Sequence, residues 1–136
     1  MKRMSDTIVV DLSAILELIF GGQNANGVKL WLETAALTYA ADQLYIELAD
    51  RFRELVINEK MKTRTAIEAC ETAHKLIDRY VSIAPLWQEA LFESLKYRIT
   101  AREIIPIILA RKLNAGYMTQ VDQKRSIAES MGIKVY

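Results

Sequence analysis

Two hydrophobic periods alternate along this chain. Ile8-Val9-Val10 is a β-branched run that stops at Asp11, the pattern of a strand buried on both faces as in a parallel sheet. Ile15, Leu16, Leu18 and Ile19 then mark a short helix from Ser13 to Phe20, with Ser13 as its N-cap, and Gly21 to Gly27 reads as a loop. A helical turn or two through Leu30, Trp31 and Leu32 leads to a second strand over Ala35 to Ala40. Asp42 caps a long helix whose stripe is Leu44, Leu48, Phe52 and Leu55. Ala66, Ala69, Cys70, Ala73, Leu76 and Ile77 share one face of the next helix, and Val81 to Ala84 reads as a third strand. Pro85 opens a helix packing Leu86, Trp87, Ala90, Leu91 and Leu95. Ile104 to Leu113 is apolar nearly all round and predicts a central helix, ended by Asn114-Ala115-Gly116 with Gly116 as the left-handed cap. Tyr117 to Val121 forms a fourth predicted strand, Asp122 to Met131 a helix, and Ile133 to Tyr136 a last strand. Strands alternating with helices throughout predict a three-layer α/β/α sandwich on a mainly parallel sheet of four to five strands.

Composition narrows the class. At 136 residues, 51% hydrophobic and 26% charged, the chain reads as one domain over residues 1–136 with a sizeable core and no disordered tail. No apolar run approaches the roughly 20 residues needed to span a bilayer. The opening Met1-Lys2-Arg3-Met4-Ser5-Asp6 is basic, but the apolar run behind it is short and broken by Asp11, which argues against an export signal. Cys70 is the only cysteine, which excludes a disulfide framework and a cysteine-based zinc site and fits a reducing cytoplasm. The formal charge of +1 means that any nucleic-acid binding must use a local basic patch or a metal.

Four acids fall at strand ends or in the first turns of the following helices: Asp11, Glu47, Glu103 and Asp122. In a parallel sheet these positions share one rim, where ligands of open α/β sheets bind. Carboxylates gathered there repel one another unless a hard divalent cation such as Mg²⁺ or Mn²⁺ neutralises them, and such a site suits metal-assisted phosphodiester hydrolysis. Each acid also has a structural explanation to set beside the catalytic one. Thr100-Ala101-Arg102-Glu103 fits a capping box, and Asp122 fits an N-cap. Glu47 has no capping role, and Asp11 ends an otherwise apolar strand.

The chain resembles the PIN domain, and within it the VapC-type toxin ribonucleases of toxin–antitoxin pairs. The resemblance rests on Ile8-Val9-Val10-Asp11-Leu12-Ser13, similar to the family's strand ending in Asp-x-Ser or Asp-x-Thr, and on Leu44-Tyr45-Ile46-Glu47-Leu48-Ala49, like its helix with an acidic residue. It continues in Tyr97-Arg98-Ile99-Thr100-Ala101-Arg102-Glu103 followed by Leu109-Ala110, and in Thr119-Gln120-Val121-Asp122 with Gly132-Ile133-Lys134-Val135. It implies a Mg²⁺- or Mn²⁺-dependent endoribonuclease with Asp11, Glu47, Glu103 and Asp122 as the acidic cluster and Ser13 assisting Asp11. It also implies a homodimer and a VapB-type antitoxin whose C-terminal segment occupies the active-site groove. Three positions depart from the family pattern. Glu103 stands where Asp is usual, Pro106 replaces a frequent aromatic and should kink its helix, and Asp122 falls one residue late after Thr119.

Arg98 and Arg102 precede Glu103 and are candidate RNA phosphate contacts, although Arg102 can equally pair with a cluster carboxylate. Lys60, Lys62, Arg64, Lys124 and Arg125 read as solvated faces. Trp31 and Trp87 can stack on bases, yet aromatic residues at helical spacing more commonly join a core. His74 and Cys70 read as packed side chains. The reading of a different class is a PIN-like domain without catalysis that binds RNA or a protein. A receiver-like phosphoacceptor domain ranks low, because the third strand ends without a carboxylate.

Overall fold

The computed structural model describes residues 6–136; the basic opening, Met1 to Ser5, lies outside them. The strands are short, because each apolar run hands over quickly to a helix. β1 is Thr7–Val10, β2 Leu37–Ala41, β3 Arg79–Val81 and β4 Gly116–Met118. All pair in parallel in the order β3-β2-β1-β4, with Val9 opposite Tyr39 on one side and Tyr117 on the other. All four carboxyl ends therefore share one edge.

Seven α-helices among the described residues cover the sheet, as the alternation predicts. They are α1 (Leu12–Ile19), α2 (Ala25–Thr34), α3 (Leu44–Ile57), α4 (Thr63–Lys75), α5 (Trp87–Tyr97), α6 (Ala101–Leu113) and α7 (Asp122–Ser130). Alternate strand residues serve opposite layers. Ile8, Val10, Ala40 and Met118 pack with residues of α1 to α4, whereas Val9, Ala41 and Tyr117 pack with α5, α6 and α7. From Ile104 to Ala110 every residue of α6 is buried, so this is the central helix its all-round apolar sequence predicts. No helix of the described residues is long and apolar enough to cross a membrane.

Several boundaries move for identifiable reasons. Asp11, not Ser13, caps α1, since its side chain accepts the Ala14 N–H and the helix already begins at Leu12. The Gly21–Gly27 loop is shorter than predicted and α2 longer. Gly27 lowers helix propensity, but the Glu17 carboxylate accepts the Asn24 N–H and Val28 is buried, and the helix starts at Ala25. Asp42 does not cap α3; its Oδ1 accepts the Ile83 N–H and ties the end of β2 to the segment after β3. Pro85 sits in a 3₁₀ turn, Ala84–Leu86, which displaces β3 toward Arg79. Asn114, with φ 52°, takes the left-handed cap expected of Gly116. Gly116 is needed for another reason, because a Cβ there would lie 2.3 Å from the Tyr136 ring. The expected last strand is reduced to a parallel bridge between Tyr117 and Val135.

Pro106 does not break α6, which runs continuously from Ala101 to Leu113. Proline at this position has no N–H for the carbonyl four residues earlier, that of Arg102. Gln43 fills the gap, donating Nε2–H to the Arg102 carbonyl at 2.8 Å. This bond also joins the start of α3, which carries Glu47, to the start of α6, which carries Glu103. Gln43→Ala should cost about 0.5–1.5 kcal/mol in denaturant unfolding, and less in a Pro106→Ala background, where the helix supplies its own donor. Equal costs in both backgrounds would dissociate Gln43 from the proline.

Candidate functional site

Asp11 sits where β1 turns into α1, and the parallel pairing of Val10 with Met118 brings the end of β4 beside it. Its carboxylate is 5% exposed and accepts four hydrogen bonds. Ser13 Oγ donates at 2.6 Å and the Ala14 N–H at 3.1 Å to Oδ1, while Tyr117 Oη donates at 2.7 Å and Thr119 Oγ1 at 2.6 Å to Oδ2. Ser13 Oγ also accepts the Gln120 N–H at 2.9 Å, which pins the β4 exit to α1. Burial, reinforced by the Asp11 charge, holds the Tyr117 phenol far above its usual range, so it remains a donor at any working pH. Ser13 thus supports Asp11 as expected. Tyr117 and Thr119 are partners that sequence reasoning did not assign; Tyr117 lies in β4 and Thr119 directly follows that strand.

Glu47 is half-buried one turn into α3. Burial raises its carboxyl above the usual value, and the negative charge of Asp11 adds to this, while Arg102 and Lys124 pull it down. Arg102 Nε lies 3.8 Å from Glu47 Oε2, a loose ion pair from a side chain that is otherwise exposed. Glu103 forms the predicted capping box: its N–H donates to Thr100 Oγ1, and its Oε1 accepts the Thr100 hydroxyl at 2.8 Å and the Thr100 N–H at 3.2 Å. The Thr100 hydroxyl bond chiefly lowers its carboxyl, with help from Lys124 and Arg102. Lys124, read as a solvated residue, therefore bears on both Glu47 and Glu103. Asp122 is the first residue of α7 and not its cap; that place is held by Val121, and Asp122 is exposed.

The rim thus brings Asp11 near enough for its charge to act on Glu47, engages Glu103 in the cap of its own helix, and leaves the Asp122 side chain exposed at the start of α7. Among the described residues no three His, Cys, Asp or Glu side chains are placed to hold a metal ion. A cation shared by four carboxylates does not fit this arrangement. The smaller donor set, Asp11 and Glu47, does suit Mg²⁺, which commonly takes one or two carboxylates and completes its shell with water and substrate phosphate.

Two cavities flank the rim. One of about 380 Å³ is lined by Glu47, Arg102, Arg51 and Arg53 among others, and one of about 480 Å³ by Arg98, Thr100, Glu103 and Gln123 among others. Arg102 accordingly shares a cavity with Glu47, and Arg98 shares one with Glu103. A larger cavity, about 500 Å³ between α3 and α4, is apolar apart from Arg53, Thr63, Glu71 and His74 and lacks the rim carboxylates. His74 lies at its border, stacked on Tyr45 and bonded to Tyr80, which agrees with a packed role; Cys70 beside it is half-buried.

Fold and site define a parallel α/β domain with a buried, fully bonded aspartate and a desolvated glutamate at the sheet's carboxyl edge, between basic residues. No protein-family model and no curated protein matches the chain. Among solved structures it is similar to the crystal structure of PAE2754 from Pyrobaculum aerophilum, at 14% identity and a TM-score of 0.74, over 98% of this chain and 85% of that one. At that identity the likeness concerns the fold.

Proposed function

We propose that this chain is a PIN-like domain that acts on single-stranded RNA at the carboxyl edge of its sheet, as a VapC-type endoribonuclease dependent on Mg²⁺ or Mn²⁺. The observation that carries the reading is the Asp11–Glu47 pair: two carboxylates on one partly buried rim, the second desolvated and only loosely paired with Arg102. These two residues would hold the cation, which when bound with an RNA phosphate would screen its charge and supply an activated water. Ser13, Tyr117 and Thr119 fix the Asp11 carboxylate, and Arg98 and Arg102 are placed to meet the RNA backbone. Glu103 primarily caps α6.

One observation favours a second reading, an RNA-binding module without catalysis: Arg102 and Lys124 already supply positive charge where a cation would sit. Incubating the protein with single-stranded and structured RNAs in Mn²⁺, Mg²⁺ or EDTA separates the two. Cutting that needs the cation and stops in EDTA is the expected result. RNA binding with no cutting under any condition would establish the second reading in its place.

For the dimer expected from the resemblance we propose the outward face of α5. Trp87, Leu91, Phe92 and Leu95 form an outward apolar stripe on α5, with Phe92 70% and Leu95 72% exposed. Light scattering should give a dimer for the wild type and a monomer for Leu95→Glu; a wild-type monomer at micromolar concentration would leave this stripe without its second copy.

A further inference from the structure

Beside the Asp11 site, where α2 faces the end of β4, lies a cavity of about 250 Å³ bordered by Asn24, Gly27, Trp31, Gln120, Arg125 and Tyr136. From this geometry we infer a nucleobase pocket that seats one base of single-stranded RNA next to the acidic pair, an inference that rests on the RNA reading above.

Four features point to a base. The volume lies below the roughly 300–1,000 Å³ of pockets for drug-sized ligands, and a single planar ring system suits it. Trp31 is 41% exposed and meets the Tyr136 ring edge-on, with centroids 4.9 Å apart, so an indole face is left for stacking. Asn24 donates Nδ2–H to Gln120 Oε1 at 2.8 Å, which orients both amides and leaves the Asn24 carbonyl oxygen and the Gln120 amino group unbonded among the described residues. That leaves one acceptor and one donor at the cavity wall, and every base edge carries groups of both kinds, so the amides can bond a base without selecting which. Arg125 uses Nη2 for the carbonyls of Thr119 at 3.0 Å and Tyr136 at 3.2 Å. The fixed guanidinium keeps its other N–H groups for a phosphate oxygen.

The pocket is wired to the site. Gln120 supplies both a wall of the cavity and the N–H that holds Ser13 Oγ, and Ser13 donates to Asp11.

Gly27 gives a test that does not disturb the site. It is exposed on α2, and a Cβ built there meets no atom within 4 Å. Gly27→Leu should therefore fold at least as well as the wild type, since leucine favours a helix more than glycine does, while its side chain competes for the cavity. The assay is titration of a Trp87→Phe background, in which Trp31 is the one indole, with short oligo(A), oligo(U) and oligo(C) in EDTA, so that binding is read without cleavage. Quenching of Trp31 that saturates is expected, and the anisotropy of a dye-labelled copy of each oligonucleotide should show affinity about 5- to 100-fold weaker in both Gly27→Leu and Trp31→Ala, from the loss of one stacked base. Unchanged affinity in both variants overturns the pocket and leaves the RNA reading standing. Absence of RNA binding by the wild type overturns both.

Discussion

Asp11→Asn is expected to keep the fold and to lose RNA cleavage by about 10²-fold or more. An asparagine oxygen can still accept from Ser13 and the Ala14 N–H, and the hydroxyls of Tyr117 and Thr119 can turn to accept from its amide nitrogen. The stability cost should then be about 1–3 kcal/mol. Asp11→Ala is different. It strips the α1 cap and leaves the Tyr117 and Thr119 hydroxyls buried without an acceptor, so denaturant unfolding should show a loss of about 3–5 kcal/mol. Comparing the pair separates chemistry from architecture: cleavage surviving in the asparagine variant would remove Asp11 from the mechanism, and an alanine variant as stable as the wild type would contradict the hydrogen-bonded geometry at the β1 end.

Glu47→Gln should move stability and activity in opposite directions. Burial raises the Glu47 carboxyl above its ordinary value near 4.5, so the folded state holds this proton more tightly than the unfolded chain. The stability Glu47 contributes is complete at pH below that ordinary value and is lost as pH rises through the folded pKa. At neutral pH the ionised side chain is a net burden, which glutamine removes. The urea midpoint of Glu47→Gln should accordingly exceed that of the wild type near pH 7, and the difference should fade below about pH 4.5. Glu103 titrates with the opposite sign, its lowered carboxyl contributing stability that is lost as pH falls, but this background is common to both proteins and cancels. Cleavage by the same variant should drop about 10²-fold or more, since one of the two cation-facing carboxylates is gone. A stabilised variant that still cuts would assign Glu47 to electrostatic strain alone. A variant less stable than the wild type at neutral pH would mean that the Arg102 pair outweighs the desolvation.

Of the four acids expected at the rim, the two C-terminal members are held by their own local structure. Glu103 has the reach to bond back to Thr100 and does so, and the helix that Asp122 opens is capped by Val121, one residue earlier. The cations had the opposite fate. Lys124 and Arg125, unremarkable as a pair at the start of a helix, bear respectively on the acidic rim and on the backbone oxygens of Thr119 and Tyr136. Trp31 is on a helix as its neighbours suggested, yet its ring is partly exposed beside Tyr136, a residue 105 positions away in the chain.

The order of elements, the parallel sheet, the buried α6, the Glu103 capping box and the placing of Asp11 at a strand end were determined by the sequence alone, because hydrophobic period and local capping act over a few residues and leave their mark in composition. The Tyr117–Thr119–Ser13 cage around Asp11, the Gln43 bond that compensates Pro106 and the Asn24–Gln120 pair were decided by the tertiary structure. Each joins groups from elements distant in the chain, and only the β1–β4 pairing and the packing of α2, α3 and α6 around it bring their atoms within hydrogen-bond reach.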